Sequence, residues 1–352
     1  MAHLYFICPC MYYQLKNLAS LSGNHFITTF DSVPNGCHSL SLCSNKLCNK
    51  SGAELAEAFS KIPASVIRLY LGGNYLGVKS GAELAQAFAA IPISILLLNL
   101  ENNGLGARSG TELAQVLAAI PNHLDSLVLA ENGLGRKSGA ELAQALKAIP
   151  ISVSSLDLSM NGFCNTPGAE LALALANLSK GVRSVNLSGN YLGAKSGADL
   201  ALAFAAIPEH VTELDLSGNN FGNMPVADLA EALAAIPPHV KSINLGFNKL
   251  FLNKTAQQKD TLLQALGENR SRFILSSNGE SDLARTLAPM VGLIRGDSLT
   301  YRLPFDVISY ILTFLPTDNP NKGRPGFFQK QLQSTSEKML SIEEKKPKYQ
   351  FS

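Results

Sequence analysis

The chain has 352 residues, 46% hydrophobic and 16% charged, which provides for a sizeable buried core and excludes a disordered polyelectrolyte. Its formal net charge is +2, but residues 317–352 carry seven Lys/Arg against four Asp/Glu, so residues 1–316 sum to −1. A nearly neutral body lacks the clustered cations that phosphate contacts need, which argues against a nucleic-acid partner. The most apolar stretch, residues 87–100, contains Pro92, Ser94 and Asn99 and is shorter than the roughly 18–20 residues of a membrane helix.

Residues 1–36 form an irregular N-terminal cap or a decayed repeat. The start is apolar but has no basic region and no small-residue cleavage site, so it does not read as a signal peptide. Five of the six cysteines, Cys8, Cys10, Cys37, Cys43 and Cys48, lie near this end. No C-x-x-C pair occurs, so they read as reduced thiols and not as a zinc site; no metal or cofactor is expected. Leu21, Asn24 and Phe26 read as the decayed repeat, with Asn24 only 21 residues before the next asparagine of the series.

From residue 37 to residue 266 the chain is periodic. Asparagines recur at 45, 74, 103, 132, 161, 190, 219 and 248, every step being 29. Five residues before each stands Leu40, Leu69, Leu98, Leu127, Leu156, Val185, Leu214 or Ile243, and three before stands a leucine throughout. The L-x-L pair has period two, so both side chains point to one face of a short strand. The next element opens with Ser-Gly-Ala-Glu or a variant. Ser51/Glu54, Ser80/Glu83, Ser109/Glu112 and Ser138/Glu141 read as capping boxes, and Ser196/Asp199 as a weaker version. The helices are Ala-rich, and six of them end at an Ile-Pro such as Ile91-Pro92, since proline cannot continue a helix. One unit cannot bury its own leucine face, so eight stacked units predict a solenoid with a shared core. The asparagines are expected to be buried at the strand exit, satisfying backbone groups of the turn.

Residues 267–296 read as a degenerate capping repeat, with Phe273, Leu275 and Asn278 as a further strand and a short helix after Glu280. Residues 297–316 read as a helix, with Pro304 in its first turn and an apolar face of Val307, Ile308, Ile311, Leu312 and Leu315. Residues 317–352 are polar and read as a disordered tail.

The unit L-x-L-x-x-N-x-L-G followed by an Ala-rich helix resembles the leucine-rich repeat family, in its ribonuclease-inhibitor-like subclass. That resemblance implies an α/β horseshoe, a parallel sheet on the concave face, helices outside, and a protein partner bound on the sheet. The wording Leu-Gly-x-Lys-Ser-Gly-Ala-Glu-Leu-Ala-Gln-Ala is similar to repeat effectors exported by the Dot/Icm type IV system of intracellular bacteria, and so is the Ser/Thr/Glu-rich C-terminus. This implies a cytoplasmic protein delivered to the cytosol of a host cell. The segment from Leu303 and Pro304 through Ile308, Ile311, Leu312 and Leu315 is similar to the first half of an F-box, which implies docking on the Skp adaptor of a ubiquitin ligase. Residues 317–326 depart from the second half of that motif, and the chain has no Trp; a helix capping the solenoid is the competing reading.

No catalytic constellation is present: no phosphate loop, nucleophile elbow or H-E-x-x-H occurs. His123, His210 and His239 occupy one repeat column before the strand. The expected site is therefore a binding face. Residues six, four, two and one before each asparagine should line the concave surface or its edge; the candidates are Arg68, Tyr70, Asn99, Glu101, Glu131, Asp157, Glu213, Asp215 and Phe247. Five carboxylates against one guanidinium predict a partner with a basic surface. Three functions follow in order: a non-enzymatic protein-binding scaffold, an F-box-like adaptor, and a GTPase-activating module. The last needs an arginine motif near the N-terminal repeats that is not evident here.

Overall fold

The computed structural model describes residues 12–266, 270–275 and 278. Its ten strands form one parallel sheet in chain order: β1 Tyr12–Gln14, β2 Ser39–Ser41, β3 Arg68–Tyr70, β4 Leu97–Asn99, β5 Ser126–Val128, β6 Ser155–Asp157, β7 Ser184–Asn186, β8 Glu213–Asp215, β9 Ser242–Asn244 and β10 Phe273–Ile274. Each crossover carries one α-helix: α1 Gly23–Thr28, α2 Gly52–Ser60, α3 Gly81–Ala89, α4 Gly110–Ala118, α5 Gly139–Lys147, α6 Gly168–Ala176, α7 Gly197–Ala205, α8 Val226–Ala234 and α9 Ala256–Ala265. Helices are about 10 Å thick and adjacent strands about 4.8 Å apart. Stacking both in one array curves it, with the sheet on the inner side.

Strand register follows the 29-residue period. Leu98 lies opposite Leu69 and Leu127, and Leu156 opposite Leu127 and Val185. These middle residues point into the core, as do Leu71, Leu100 and Leu129 just beyond the strands.

The asparagine column is buried, and its side chains tie each unit to its neighbours. Asn132 Oδ1 accepts the N–H groups of Asn103 at 3.1 Å and Leu105 at 3.2 Å, both in the preceding unit. Its Nδ2 donates to the carbonyls of Leu100 at 3.0 Å and Ala130 at 3.1 Å. The same pattern recurs at Asn74, Asn161, Asn190 and Asn219. One carboxamide thus satisfies the turn of its own unit and the turn before it.

That turn is sharp. The residues on both sides of Asn132, Asn161 and Asn248 are left-handed: Glu131 and Gly133, Met160 and Gly162, Phe247 and Lys249. Holding a non-glycine residue there costs about 1–2 kcal/mol, which the asparagine bonds must offset.

The helices begin as their sequences dictate. The four expected capping boxes form at Ser51/Glu54, Ser80/Glu83, Ser109/Glu112 and Ser138/Glu141, and a fifth, not expected from the sequence, forms at Thr255/Gln258, whereas at Ser196 the hydroxyl accepts from the Asp199 N–H without the reciprocal backbone bond. Lys79 and then Ser80 hold the Glu83 carboxyl down to about 2, and Lys137 does the same for Glu141. The cap glutamates also reach back one unit: Glu141 accepts from Gly110 N–H at 2.9 Å and Glu170 from Gly139 N–H at 3.0 Å. Close approach explains the turn glycines. A Cβ on Gly106 would lie 2.5 Å from the Gly133 carbonyl oxygen of the next turn.

At the N-terminus the structure corrects the sequence phasing. Asn24 lies on α1, and Phe26, on the same helix, is buried in the core. The strand of this unit is β1, with Tyr13 opposite Leu40, a step of 27. Spacing returns to 29 at Leu18, whose N–H donates to Asn45 Oδ1 at 3.0 Å as that of Leu47 does to Asn74 Oδ1 at 3.3 Å. The turn has lost two residues, and Asn45 Nδ2 donates to the Leu15 carbonyl instead, at 2.8 Å. At the other end Phe273 lies opposite Ile243, and Asn278 Oδ1 accepts from the Asn248 N–H at 2.9 Å. The helix expected after Glu280 falls outside the described residues.

Asn132→Ala removes the acceptor of two buried N–H groups and the donor of two carbonyls. At about 1–3 kcal/mol per unsatisfied group, we expect a loss of roughly 3–5 kcal/mol of stability, read by denaturant unfolding. An unfolding curve superimposable on that of the parent would show that the ladder does not bind the units together.

Candidate inner-face binding site

Strands β3–β9 have three residues each, of which only the first and last face outward; all three residues of β2 are buried. The inner surface therefore consists of two rows. The first runs through Arg68, Leu97, Ser126, Ser155, Ser184, Glu213 and Ser242; the second through Tyr70, Asn99, Val128, Asp157, Asn186, Asp215 and Asn244. Of the sequence candidates, Arg68 and Glu213 are exposed at strand starts. Tyr70, Asn99, Asp157 and Asp215 are half-buried at strand ends. Glu101, Glu131 and Phe247 lie in the turns beyond, the first two half-buried and Phe247 exposed.

The two rows divide the face in two. Over β3–β5 stand Arg68, Tyr70, Leu97, Asn99, Ser126 and Val128, a mixed surface with three large apolar or aromatic side chains and one cation. Over β6–β9 stand Asp157, Asn186, Asp215 and Asn244 beside small serines. Sequence reasoning grouped the carboxylates and placed Asn186 and Asn244 in the same concave columns, without naming them as site residues. Their signal was available in the Asx-x-Ser/Gly spacing, where an Asx side chain bonds the backbone two residues on. Asp157 Oδ1 accepts from Ser159 N–H at 2.8 Å, Asn186 Oδ1 from Ser188 N–H at 2.9 Å, Asp215 Oδ1 from Ser217 N–H at 2.8 Å, and Asn244 Oδ1 from Gly246 N–H at 2.9 Å. One atom of each side chain is thus fixed by its own turn. The Asn244 Nδ2 further donates to Asp215 Oδ2 at 3.0 Å. The result is an ordered row in which carboxylates alternate with carboxamides.

Burial pushes the Asp157 carboxyl above its ordinary value; bonds from Ser159 and Asn186 pull it back, and the charge of Asp215 adds to the rise. A carboxylate held in a half-buried row without a cation is a group that an incoming cation would stabilise.

Other readings can be located as well. Leu303, Pro304, Ile308, Ile311, Leu312 and Leu315 lie outside the described residues, as do Cys8 and Cys10. Cys43, Cys48 and Cys164 are free thiols. Among the described residues no group of three or more His, Cys, Asp or Glu could hold a metal, and no helix is long and apolar enough to cross a membrane. His123 Nε2 lies 3.1 Å from the Pro92 carbonyl of the preceding unit, a contact between units.

A family model described as a leucine-rich repeat matches residues 208–223, which include β8 and its asparagine turn. The crystal structure of LegL7, a leucine-rich repeat-containing protein from Legionella pneumophila, is similar at 34% identity and a TM-score of 0.66, over 82% of this chain and 99% of that one. The tropomodulin C-terminal domain of Caenorhabditis elegans is 12% identical over 53% of this chain and 99% of that one, with a TM-score of 0.30. A chain of the yeast Rad7–Elc1 complex is 13% identical over 64% of this chain and 60% of that one, with a TM-score of 0.36. No curated protein matches the chain at a significant level.

The raised Asp157 carboxyl predicts a pH effect. A group whose folded value lies above its unfolded one favours the fold at low pH, and that contribution is lost as pH rises through the folded value. Asp157→Asn removes the titration. The difference in thermal midpoint between variant and parent should therefore shift in favour of the variant between pH 4 and pH 8. A difference that stays constant over that range would mean that the carboxyl is not perturbed by its surroundings.

Proposed function

Since this chain belongs to the leucine-rich repeat family, we propose that it is a non-enzymatic scaffold that binds a protein partner on the inner face of its sheet. The observation that carries this reading is the row Asp157–Asn186–Asp215–Asn244, whose side chains are pre-oriented by their own turns. Polar groups held in place before binding lose little entropy on contact, so they add to affinity and to specificity. Arg68, Tyr70, Asn99, Glu101, Glu131, Glu213 and Phe247 complete the proposed surface. The partner presents Lys or Arg to β6–β9 and an apolar side chain to Tyr70, Leu97 and Val128. The likeness to a Legionella pneumophila protein and the repeat wording support a role as a bacterial effector, acting in the cytosol of a host cell after type IV export.

The test is affinity purification of partners from eukaryotic cytosol with the full chain, followed by binding kinetics. Changing Asp157 and Asp215 to Asn keeps size and removes two charges. The variant should associate more slowly and show a shallower salt dependence, because ions screen such attraction beyond about 8 Å at physiological strength. Partners bound equally well by this variant, and lost instead on changing outer helix residues, would move the site off the sheet.

The adaptor reading rests on the sequence from Leu303 to Pro316 alone. It requires that the Skp adaptor co-purify with the full chain and be lost when Leu303 and Pro304 are both changed to Ala. Recovery of partners without the adaptor removes this reading and leaves the scaffold.

A further inference from the structure

The outer faces of α6 and α7 differ from those of α2–α5 and α8. Each of these seven helices has nine residues, and one residue near its middle is exposed on the outer side. That residue is Glu57, Gln86, Gln115 and Gln144 in α2–α5 and Glu231 in α8, but Leu173 in α6 and Leu202 in α7. The two leucines are 46% and 51% exposed. The other exposed residues of this helix pair are Ala169, Ala176, Ala198 and Ala205. Two adjacent helices thus present a surface without one exposed polar side chain. Apolar area left in water is unfavourable, and a contiguous patch of it marks a contact site.

The borders of the patch carry opposite charge. On α5, beside α6, Lys147 is exposed; on α8, beside α7, Glu231 is exposed. The loops that follow α6 and α7 place the exposed Lys180 and Glu209 at one repeat position. None of these four forms an ion pair among the described residues. A twofold axis parallel to the helices, between α6 and α7, lays α6 of one copy over α7 of another and α5 over α8. Lys147 of each copy then meets Glu231 of the other, and Lys180 meets Glu209. Lys147 lies three residues past the helix position that Glu231 occupies, about 4.5 Å along the axis, which a lysine side chain spans. A twofold across the helices would instead stack α8 on α8 and set Glu231 beside Glu231.

We propose that a second copy of this chain docks on α6 and α7, so that the protein forms a symmetric back-to-back dimer. Charge complementarity selects this occupant: a patch with an apolar centre and borders of opposite sign is complementary to itself. The outer side of the array is convex, so the central helices touch and the long side chains at the borders bridge the widening gap. Nine residues per helix and helix axes about 10 Å apart give roughly 270 Å² of patch per copy. Even with the flanking helices added, the buried total stays under the roughly 1,200 Å² at which stable interfaces begin. The dimer is therefore weak and concentration-dependent. Both sheet faces stay open in it, and the inference stands independently of what the sheet binds.

The test is sedimentation equilibrium of the full chain from about 1 μM to about 1 mM. The mass should rise with concentration from 37.5 kDa towards twice that value. Leu173→Gln with Leu202→Gln installs the residue the chain itself carries at this position in α3–α5, so the helices are kept and the variant should stay monomeric; thermal unfolding verifies that it is folded. Lys147→Glu should weaken dimerisation about tenfold, because like charges then meet across the interface, and adding Glu231→Lys should restore it. Rescue by the double reversal separates a specific twofold contact from a merely adhesive surface. The proposal is overturned by a chain that stays monomeric over the whole range, by self-association that persists in the leucine variant, or by a double reversal that fails to restore what the single one removed.

Discussion

From β2 onward each unit of this protein ends its strand on one buried carboxamide, and the array depends on where that carboxamide's bonds go. The oxygen takes two N–H groups from the unit before, and the nitrogen serves two carbonyls, one on each side of the unit boundary. A turn this tight leaves those groups unable to pair within the sheet ladder, and burial denies them water. Glutamine would overshoot, and aspartate would offer no donor. Asparagine is the side chain with the reach and the paired donor and acceptor that the geometry requires.

From that ladder follow the positions of the neighbouring residues. The strands are held to three residues, so each unit writes only two side chains onto the inner face. Neighbours on that face are 29 residues apart in sequence, and one substitution changes one cell of a grid. The chain uses this freedom to vary the face along its length: Tyr70, Leu97 and Val128 mixed with polar side chains over β3–β5, and carboxylates alternating with carboxamides over β6–β9. The rim is different again. Lys79, Arg108 and Lys137 there are paired with the cap glutamates of their helices.

Close stacking also limits what the turns can contain. Glycines such as Gly106 are dictated by the carbonyl of the next turn, not by their own backbone angles. The position after the asparagine is limited by angle and open in space, as at Gly104, while the position before it has the neighbouring side chain in reach, as at Gly73 and Gly189. This is why they tolerate Glu131, Met160, Tyr191 and Phe247 at a cost in conformational energy, and why side chains with no structural duty collect there.

The period, the buried leucines, the capping boxes and the inner rows were all legible in the sequence, because each is a local pattern repeated at a constant step. Eight copies leave no freedom in the register. The sequence also determined which residue types face the groove, since strand alternation assigns them without knowledge of contacts. It failed where the step changes. With two residues lost from the first turn, Asn24 imitated the column from a place on α1, and only pairing of β1 with β2 located the true strand exit near Leu15. One further property was decided by tertiary structure alone. The Asp157 carboxyl is perturbed by burial against neighbouring units. That burial depends on atoms about a full repeat away in sequence, and no one-dimensional pattern reports the space left between such atoms.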